Sequence, residues 1–283
     1  MYKIICKSKL NDQMTLMVIE ATFVAKKARA GQFIMLRVNE TGERIPLTIA
    51  DYDREKGYVT VIFQKVGKTT MLLDSLDEGD SVLDFVGPLG KPTDYAGVKR
   101  AAVIGGGAGC AIAYPQAKAM KENGICVDMI AGFRNRNLII LEDEMAAESN
   151  QLIIMTDDGS NGNKGFVTDA LKNEIAAGTH YDFVIAIGPL PMMKAVCNLT
   201  KEYGIKTIIS MNSYMIDGTG MCGCCRVTID GKVKFACVDG PDFDGHLVDF
   251  DEAIKRSRIY AEQERKARDE HCNLMKAKVS DNG

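Results

Sequence analysis

Residues 98–110 read VKRAAVIGGGAGC, and their order decides the fold of the longer half of the chain. A strand without polar alternation, Ala101 to Ile104, runs straight into Gly105-Gly106-Gly107-Ala108-Gly109, and a helix-like segment follows to about Asn123-Gly124. A strand apolar on both faces suits a parallel sheet covered by helices on either side. The alternation continues outward. ICVDMIAGF (125–133), QLIIMTDDG (151–159), YDFVIAIG (181–188) and KTIISMN (206–212) read as strands. LEDEMAAE (141–148), FVTDALKNEIAAG (166–178) and PMMKAVCNLTKEYG (191–204) read as the helices between them. Strands alternating with helices predict a doubly wound α/β domain. Pro115 predicts a kink in the first of those helices.

Upstream the texture differs. MTLMVIEA (14–21), FIMLRV (33–38), IPLTIAD (45–51), YVTVIFQ (58–64) and SVLDFVG (81–87) are short β-branched runs. Glu55-Lys56-Gly57 and Asp77-Glu78-Gly79-Asp80 mark turns among them, and one short helix is expected near Thr69 or Thr70, over MLLDSL. Such spacing predicts a small antiparallel barrel. GPLGKP (87–92) reads as its exit. Downstream, residues 211–250 are rich in glycine and cysteine, too few for a core of their own, and therefore expected to need a staple. The tail after Asp251 is a strong helix former with a thin apolar face, suited either to solvent or to a partner subunit. The expected divisions are 1–97, 98–210, 211–250 and 251–283.

The 283 residues carry 35 basic and 38 acidic side chains, a formal charge of −3, with no basic block suited to nucleic acid. MYKIICKSKL at the N-terminus lacks the apolar core of a secretory signal, and no apolar run approaches the roughly 18 residues of a membrane span. A cytoplasmic location is expected, with neither nucleic acid nor membrane as partner. In a reducing compartment nine cysteines point to metal, cluster or buried apolar roles rather than disulfides. Four of them, Cys222, Cys224, Cys225 and Cys237, fall within 16 residues; Cys6, Cys110, Cys126, Cys197 and Cys272 are scattered and read as structural or incidental. With only His180, His246 and His271, a multi-histidine metal site is not expected.

The glycine loop at 105–109 lets backbone N–H groups and a helix start approach a pyrophosphate. It departs from the Rossmann fingerprint, because Cys110 stands at the third glycine and the second strand ends in Ala131-Gly132-Phe133-Arg134 without an acidic residue. A plain glycine turn for tight strand-to-helix packing is the alternative. Thr156-Asp157-Asp158-Gly159-Ser160 and Gly188-Pro189 with Met192-Met193 lie where open α/β sheets bind ligands, outside the carboxyl ends of strands. In the barrel half, Arg44-Ile45-Pro46-Leu47-Thr48 offers a cation for a diphosphate and a hydroxyl for a heterocycle edge, and Gly67-Lys68-Thr69-Thr70 offers a phosphate-receiving turn. An exposed arginine and an ordinary N-cap explain these residues equally well when each is taken alone.

The order of parts is more specific than any one of them. RIPLT, GKTT, GPLG, VIGGGAG, TDDGSNGNKG, GPLPMM, and then MCGCCR with KFACVDGPDFDGH, resembles from end to end the ferredoxin-NADP reductase superfamily. The similar branch contains the dihydroorotate dehydrogenase electron-transfer subunit and the small subunit of NADH-dependent ferredoxin:NADP oxidoreductase, also called the sulfide dehydrogenase small subunit. The resemblance implies FAD on the barrel, NAD(H) on the α/β domain and a [2Fe–2S] cluster on the C-terminal appendage. Arg44, Pro46, Leu47 and Thr48 match the flavin motif, with Gln64 added to the set. Gly67, Thr69 and Thr70 match the FAD phosphate turn; Gly105, Gly106, Gly107, Ala108 and Gly109 match the dinucleotide loop. Asp157, Asp158, Gly188, Pro189 and Met192 complete the expected cofactor contacts. Arg134 and Arg136 are suited to a 2′-phosphate, yet the resemblance favours NAD(H) over NADP.

The pattern D-x4-C-x2-C-x11-C, from Asp217, resembles the transhydrogenase small subunit, in which an aspartate stands where the dihydroorotate dehydrogenase subunit has cysteine. The implied ligands are Asp217, Cys222, Cys225 and Cys237. RVTI-DG-KVKFAC is a hairpin whose two-residue turn pairs Ile229 with Lys232, and extrapolation sets Cys237 opposite Cys224, so Cys224 remains a rival to Cys225. Structural zinc is the bland alternative, although three cysteines and an aspartate would be an unusual zinc set. The expected function is electron transfer between NAD(H), FAD and the cluster within a bifurcating NADH-dependent reduced ferredoxin:NADP+ oxidoreductase, with no side chain as acid–base catalyst. A larger subunit carrying flavin and [4Fe–4S] clusters is the expected partner in a heterodimer or higher assembly, bringing ferredoxin and NADP(H). The alternatives are an electron-transfer subunit of dihydroorotate dehydrogenase or of a sulfide or polysulfide reductase, and a zinc-stabilised nucleotide-sensing module.

Overall fold

A computed structural model describes residues 1–270. Its first sheet has seven antiparallel strands: β1 (Tyr2–Lys9), β2 (Met14–Glu20), β3 (Phe33–Arg37), β4 (Ile45–Asp53), β5 (Tyr58–Gln64), β6 (Ser81–Val82) and β7 (Asp84–Leu89), in the order β6-β1-β2-β5-β4-β3-β7. Only Leu83 separates the two edge strands, so the sheet nearly closes into a barrel. β5 shows the cause. Val59, Val61 and Phe63 point inward and are buried while Tyr58, Thr60 and Ile62 alternate outward, the period of two that a sheet with one dry face requires. Two short helices, α1 (Thr22–Lys27) and α2 (Lys68–Asp74), pack Val24 and Leu73 against that core.

Three details differ from the sequence reading. The run SVLDFVG is two strands, because the Leu83 N–H turns to the carbonyls of Arg37 and Val38. β1 was not expected; it buries fully only Ile4 and is held along its length by pairing with β2. α1 was also not expected, since six residues are too short to display a helical period.

The second sheet contains β8 (Arg100–Gly106), β9 (Cys126–Phe133), β10 (Gln151–Thr156), β11 (Phe183–Ile187) and β12 (Lys206–Ser210), all parallel, with helices α3 (Cys110–Glu122), α4 (Glu142–Ala147), α5 (Val167–Ala176) and α6 (Leu190–Glu202) between them. α3 runs without interruption through the buried Pro115. The strand order is β10-β9-β8-β11-β12, so the winding reverses between β8 and β11, and a crevice opens there at their carboxyl ends. Ala101 to Ile104 and Phe183 to Ala186 are fully buried, which is why neither strand alternates in sequence.

The C-terminal part contributes a hairpin, β13 (Arg226–Ile229) and β14 (Lys232–Phe235), then β15 (Asp242–Asp244) and α7 (Phe250–Arg256). β15 joins the second sheet antiparallel to β12, pairing Ile209 with Phe243. One apolar core contains Phe33 and Met35 of the barrel, Ile104 and Val184 of the parallel sheet, and Cys225, Val227 and Cys237 of the cysteine segment. Burying each large apolar side chain contributes about 1.5–3 kcal/mol. The cysteine segment therefore takes its stability from shared packing as well as from any metal. Residues 261–270 are helical. The remainder of the expected tail, with His271 and Cys272, lies outside the described residues.

Candidate functional site

In the barrel, β4 pairs with β3 through Ile45 to Thr48, but its ladder with β5 begins only at Ile49. The strand therefore presents one unpaired backbone edge over Ile45, Pro46, Leu47 and Thr48. A planar heterocycle with hydrogen-bonding edges suits such a gap. β5 continues to Gln64 opposite it, where the Gln64 amide donates to Gln13 Oε1 at 2.9 Å. Beside the gap, Asp84 Oδ2 accepts from both Arg37 Nε at 2.8 Å and Arg44 Nη2 at 3.3 Å. Two guanidinium groups share one carboxylate, and the surplus positive charge faces outward at Arg44. Thr69 Oγ1 donates to Glu43 Oε2 at 3.3 Å and so brings the start of α2 next to Arg44. Thr70 Oγ1 accepts from the N–H groups of Val66 and Gly67 and donates to the Gly67 carbonyl. Its hydroxyl and the N–H groups of Val66 and Gly67 are used in shaping the turn, and the N–H groups of the first turn of α2, from Lys68 and Thr69, are those suited to meet a phosphate.

At the crevice, the glycine loop and the β11 end are packed face to face. A Cβ on Gly109 would overlap the Ile187 carbonyl oxygen and lie 2.7 Å from its carbon; one on Gly106 would overlap Met192 Sδ. The packing alternative thus accounts for these two glycines. Gly107 differs, with φ of +55° and open space on its Cβ side, and it is the point of the loop free to approach a ligand. Cys110 is buried against Gly105, and burial pushes its thiol up to about 12, which removes it as a nucleophile. Asp157 and Asp158 lie at the end of β10, two strands or about 10 Å from β8. Their N–H groups bond the carbonyls of Phe133, at the end of β9, and of Arg134 just beyond it, and Asp158 is held below the usual carboxylate range by the Ser160 hydroxyl and N–H. They suit the outer part of a dinucleotide rather than its reacting ring. Beside Gly188 and Pro189 a cavity of about 230 Å³ is walled by Asn212, Ile254 and Arg258. Asn212 was not singled out in sequence, although it follows the carboxyl end of a parallel strand.

The cysteine segment forms two pairs. Cys225 and Cys237 are 1% and 2% exposed, and their sulfurs are 3.3 Å apart. Two thiolates on one tetrahedral metal with bonds of about 2.3 Å stand about 3.8 Å apart, so this pair needs to open by only about half an ångström. Asp217 Oδ2 accepts from Cys222 N at 2.8 Å and Oδ1 from Thr219 N at 2.9 Å, and these backbone donors hold its carboxyl below the usual range. Cys222 is exposed. Among the described residues no three His, Cys, Asp or Glu side chains converge on a single ion position. Two pairs suit two irons.

The hairpin register is as expected, Ile229 opposite Lys232 and Arg226 opposite Phe235. The extrapolation that set Cys237 opposite Cys224 is corrected: beyond Phe235 the chain curls, its carbonyl accepting from the N–H groups of Val238 and Asp239, and Cys237 N–H reaches Cys225 Sγ at 3.5 Å. Cys224 instead lies beside Cys222, and burial first, then that neighbour, raise its thiol. Gly218, at φ +74°, presses on Met35 and Leu89, so the loop between Asp217 and Cys222 rests on the barrel.

Residues 103–198 match the oxidoreductase NAD-binding domain, and residues 212–249 match the iron–sulfur cluster binding domain of dihydroorotate dehydrogenase B. A Thermotoga maritima homolog of the dihydroorotate dehydrogenase B (NAD(+)) electron transfer subunit is 44% identical over 93% of both chains. The Fusobacterium nucleatum electron transfer subunit of that enzyme is 33% identical over 80% of this chain and 88% of its own. A solved structure of the NADH-dependent reduced ferredoxin-NADP oxidoreductase superposes with a TM-score of 0.89 at 42% identity, covering 94% of this chain and 96% of that one. The chain is an oxidoreductase subunit with an NAD-binding domain and an iron–sulfur cluster binding domain, and the 42% identical structure belongs to an enzyme of flavin-based electron bifurcation. No helix among the described residues is long and apolar enough to cross a membrane. The chain belongs to the ferredoxin-NADP reductase superfamily, in the branch of the dihydroorotate dehydrogenase B electron-transfer subunits.

Proposed function

We propose that this chain is the small, electron-transferring subunit of a bifurcating NADH-dependent reduced ferredoxin:NADP+ oxidoreductase. The observation that carries this reading is Asp217, seated against Cys222 where the paired-ligand geometry calls for a fourth ligand, in a chain similar throughout to that enzyme's solved structure. In the proposed arrangement Asp217 and Cys222 hold one iron of a [2Fe–2S] cluster, and Cys225 and Cys237 hold the other. A flavin bound by these residues would supply hydride chemistry with NAD(H) and one-electron chemistry with the cluster.

The chain's own residues bind and orient. The unpaired edge at Pro46 to Thr48, with Gln64 across the gap, receives the isoalloxazine. Arg44 and the turn at Gly67, Thr69 and Thr70 receive its diphosphate. Gly105 to Gly109, with Gly188, Pro189 and Met192, bound the crevice for the nicotinamide half, while Asp157 and Asp158 meet the outer half. Burial of Cys225 and Cys237 excludes water from one side of the cluster, and the contact of Gly218 with Met35 and Leu89 keeps it close to the barrel. We assign residues 1–97 to flavin, 98–210 to the dinucleotide, 211–250 to the cluster, and the segment from 251 to docking.

The relatives are subunits of heteromeric enzymes, which supports a larger partner. In the finer reading that partner holds a second flavin and [4Fe–4S] clusters and handles ferredoxin and NADP(H), in a cytoplasmic complex. Ile216, Met221 and Val238, which adjoin Asp217, Cys222 and Cys237 in the chain, are exposed apolar residues suited to such a subunit. Isolation from the native source with identification of the co-purifying chain tests this. A partner that oxidises dihydroorotate, or one that interconverts polysulfide and sulfide, would replace the proposal with the corresponding enzyme; the first alternative has its own support in the electron-transfer subunits at 32–34% identity.

A further inference from the structure

α7 ends at Arg256, and its guanidinium turns inward: Nη2 donates to the Cys224 carbonyl at 3.0 Å. That carbonyl belongs to the peptide unit leading directly into Cys225. Arg256 is half-buried, and among the described residues no carboxylate pairs with it, although Glu252 stands one helical turn back. An unpaired cation with part of its hydration removed, held against a loop, is expensive unless negative charge resides there. Its position is firm. Phe250 and Ala253 lie in the same apolar core as Cys225 and Cys237, and the Asp249 N–H bonds the Thr228 carbonyl at 2.9 Å.

We propose that Arg256 is a positioning residue that raises the reduction potential of the iron–sulfur cluster by placing a fixed positive charge beside the Cys224–Cys225 peptide. The inference rests on the proposed ligation by Cys225. A cluster held there would take one of the two electrons that NADH gives the flavin as hydride, the other staying on the flavin, and with no ligand bond broken the loaded loop would become one unit more negative. A nearby cation stabilises the more negative state, with a strength set by distance and the effective dielectric. Charge, hydrogen bonds to the ligand-bearing loop and exposure are the protein's means of setting such potentials. A helix leading into a partner-facing tail would thereby carry the group that adjusts electron affinity.

The test is an anaerobic redox titration of the full chain, following the cluster by absorbance and electron paramagnetic resonance, for the native protein, Arg256→Gln and Arg256→Lys. Arg256→Gln keeps a donor without charge. At the native midpoint its ratio of reduced to oxidised cluster should fall about tenfold, equivalent to about 59 mV for one electron. Arg256→Lys keeps the charge and should remain within about twofold of native. A Gln variant titrating at the native potential overturns the proposal, as does a Lys variant shifted as far as Gln, because geometry rather than charge would then be responsible. The potential is read per cluster, so partial loading does not obscure it. A Gln variant with no cluster beside a fully loaded Lys variant also overturns it, since the charge would then only hold the loop. Native protein lacking any iron–sulfur spectrum instead refutes the ligation on which the inference stands.

Discussion

Substitution of Gly109 by alanine isolates the joint between the two loops of the dinucleotide crevice. The added Cβ would overlap the Ile187 carbonyl oxygen and come within 2.7 Å of its carbon and 2.8 Å of Gly188 Cα. All three atoms are backbone, and Ile187 is the last residue of a fully buried central strand, so relief requires the glycine loop to move away from β11 as a unit. Overpacking of this kind costs typically 1–3 kcal/mol, and a backbone obstacle belongs at the upper end, about 3 kcal/mol. For a protein of this size each kcal/mol lowers Tm by roughly 2 °C, giving a loss of about 6 °C in the transition of the α/β half. The displaced loop also widens the crevice, so NADH should reduce the bound flavin at least tenfold more slowly at subsaturating NADH, while FAD content, which depends on the barrel, stays at the native level. Calorimetry, stopped-flow flavin bleaching and cofactor extraction read these three quantities. A G109A protein with Tm within about 1 °C of native and unchanged NADH kinetics would refute the close packing of loop on strand. Gly107→Ala is the control. It meets open space, and its only penalty is the left-handed conformation, about 1–2 kcal/mol.

Cys225→Ala and Cys237→Ala should each abolish the iron–sulfur spectrum and reduce iron content to background, whereas Cys224→Ala should retain both; loss in Cys224→Ala with retention in Cys225→Ala would reverse the ligand assignment. Asp217→Cys should keep a cluster with altered spectrum and potential, and an unchanged titration would remove Asp217 from the ligand set. Asp242 offers a pH test. Its carboxylate is enclosed, with Oδ1 unpartnered among the described residues and Oδ2 accepting from Thr93 at 2.5 Å, and burial pushes it up to about 6 against the pull of the Thr93 and Ser210 hydroxyls. The folded state then holds a proton that the unfolded state has already released, so this group's contribution to stability is fully present below about pH 4 and is lost as pH rises to about 6. Asp242→Asn lacks that slope. Urea unfolding should show the variant gaining on the native protein between pH 4.5 and 7, and a constant difference would contradict the enclosed carboxylate.

Much of the candidate site was legible because local chemistry announces it. The unalternating run at Ala101 to Ile104, the glycines that follow it, and the Asp230-Gly231 turn each have a backbone reason that short-range sequence displays. The hairpin register was readable for the same cause. Its continuation was not: the curl after Phe235 depends on carbonyl and N–H partners that no side-chain pattern records, and it exchanges Cys224 for Cys225 as the neighbour of Cys237. The glycine loop divides similarly. A run of glycines tells that something approaches closely, but whether that is a ligand, as at Gly107, or the next strand, as at Gly106 and Gly109, depends on residues some 80 positions away.

From sequence alone come the two sheet types, the order of barrel, parallel sheet and cysteine segment, and the clustering of four cysteines, because hydrophobic period, turn chemistry and residue spacing are local properties of a chain; Asp217 as a ligand, and Cys225 over Cys224, came from the family resemblance. Tertiary structure alone decided three further matters. It left β4 unpaired over Pro46 to Thr48, since the barrel ladder with β5 begins only at Ile49. It folded the cysteine segment into the common core by adding β15 to the edge of the parallel sheet. It also turned Arg256, one cation among many in a charged tail, onto the carbonyl before Cys225. Each outcome arises from contacts between segments far apart in the chain, where burial and hydrogen-bond satisfaction are settled jointly, and no window of sequence contains both partners.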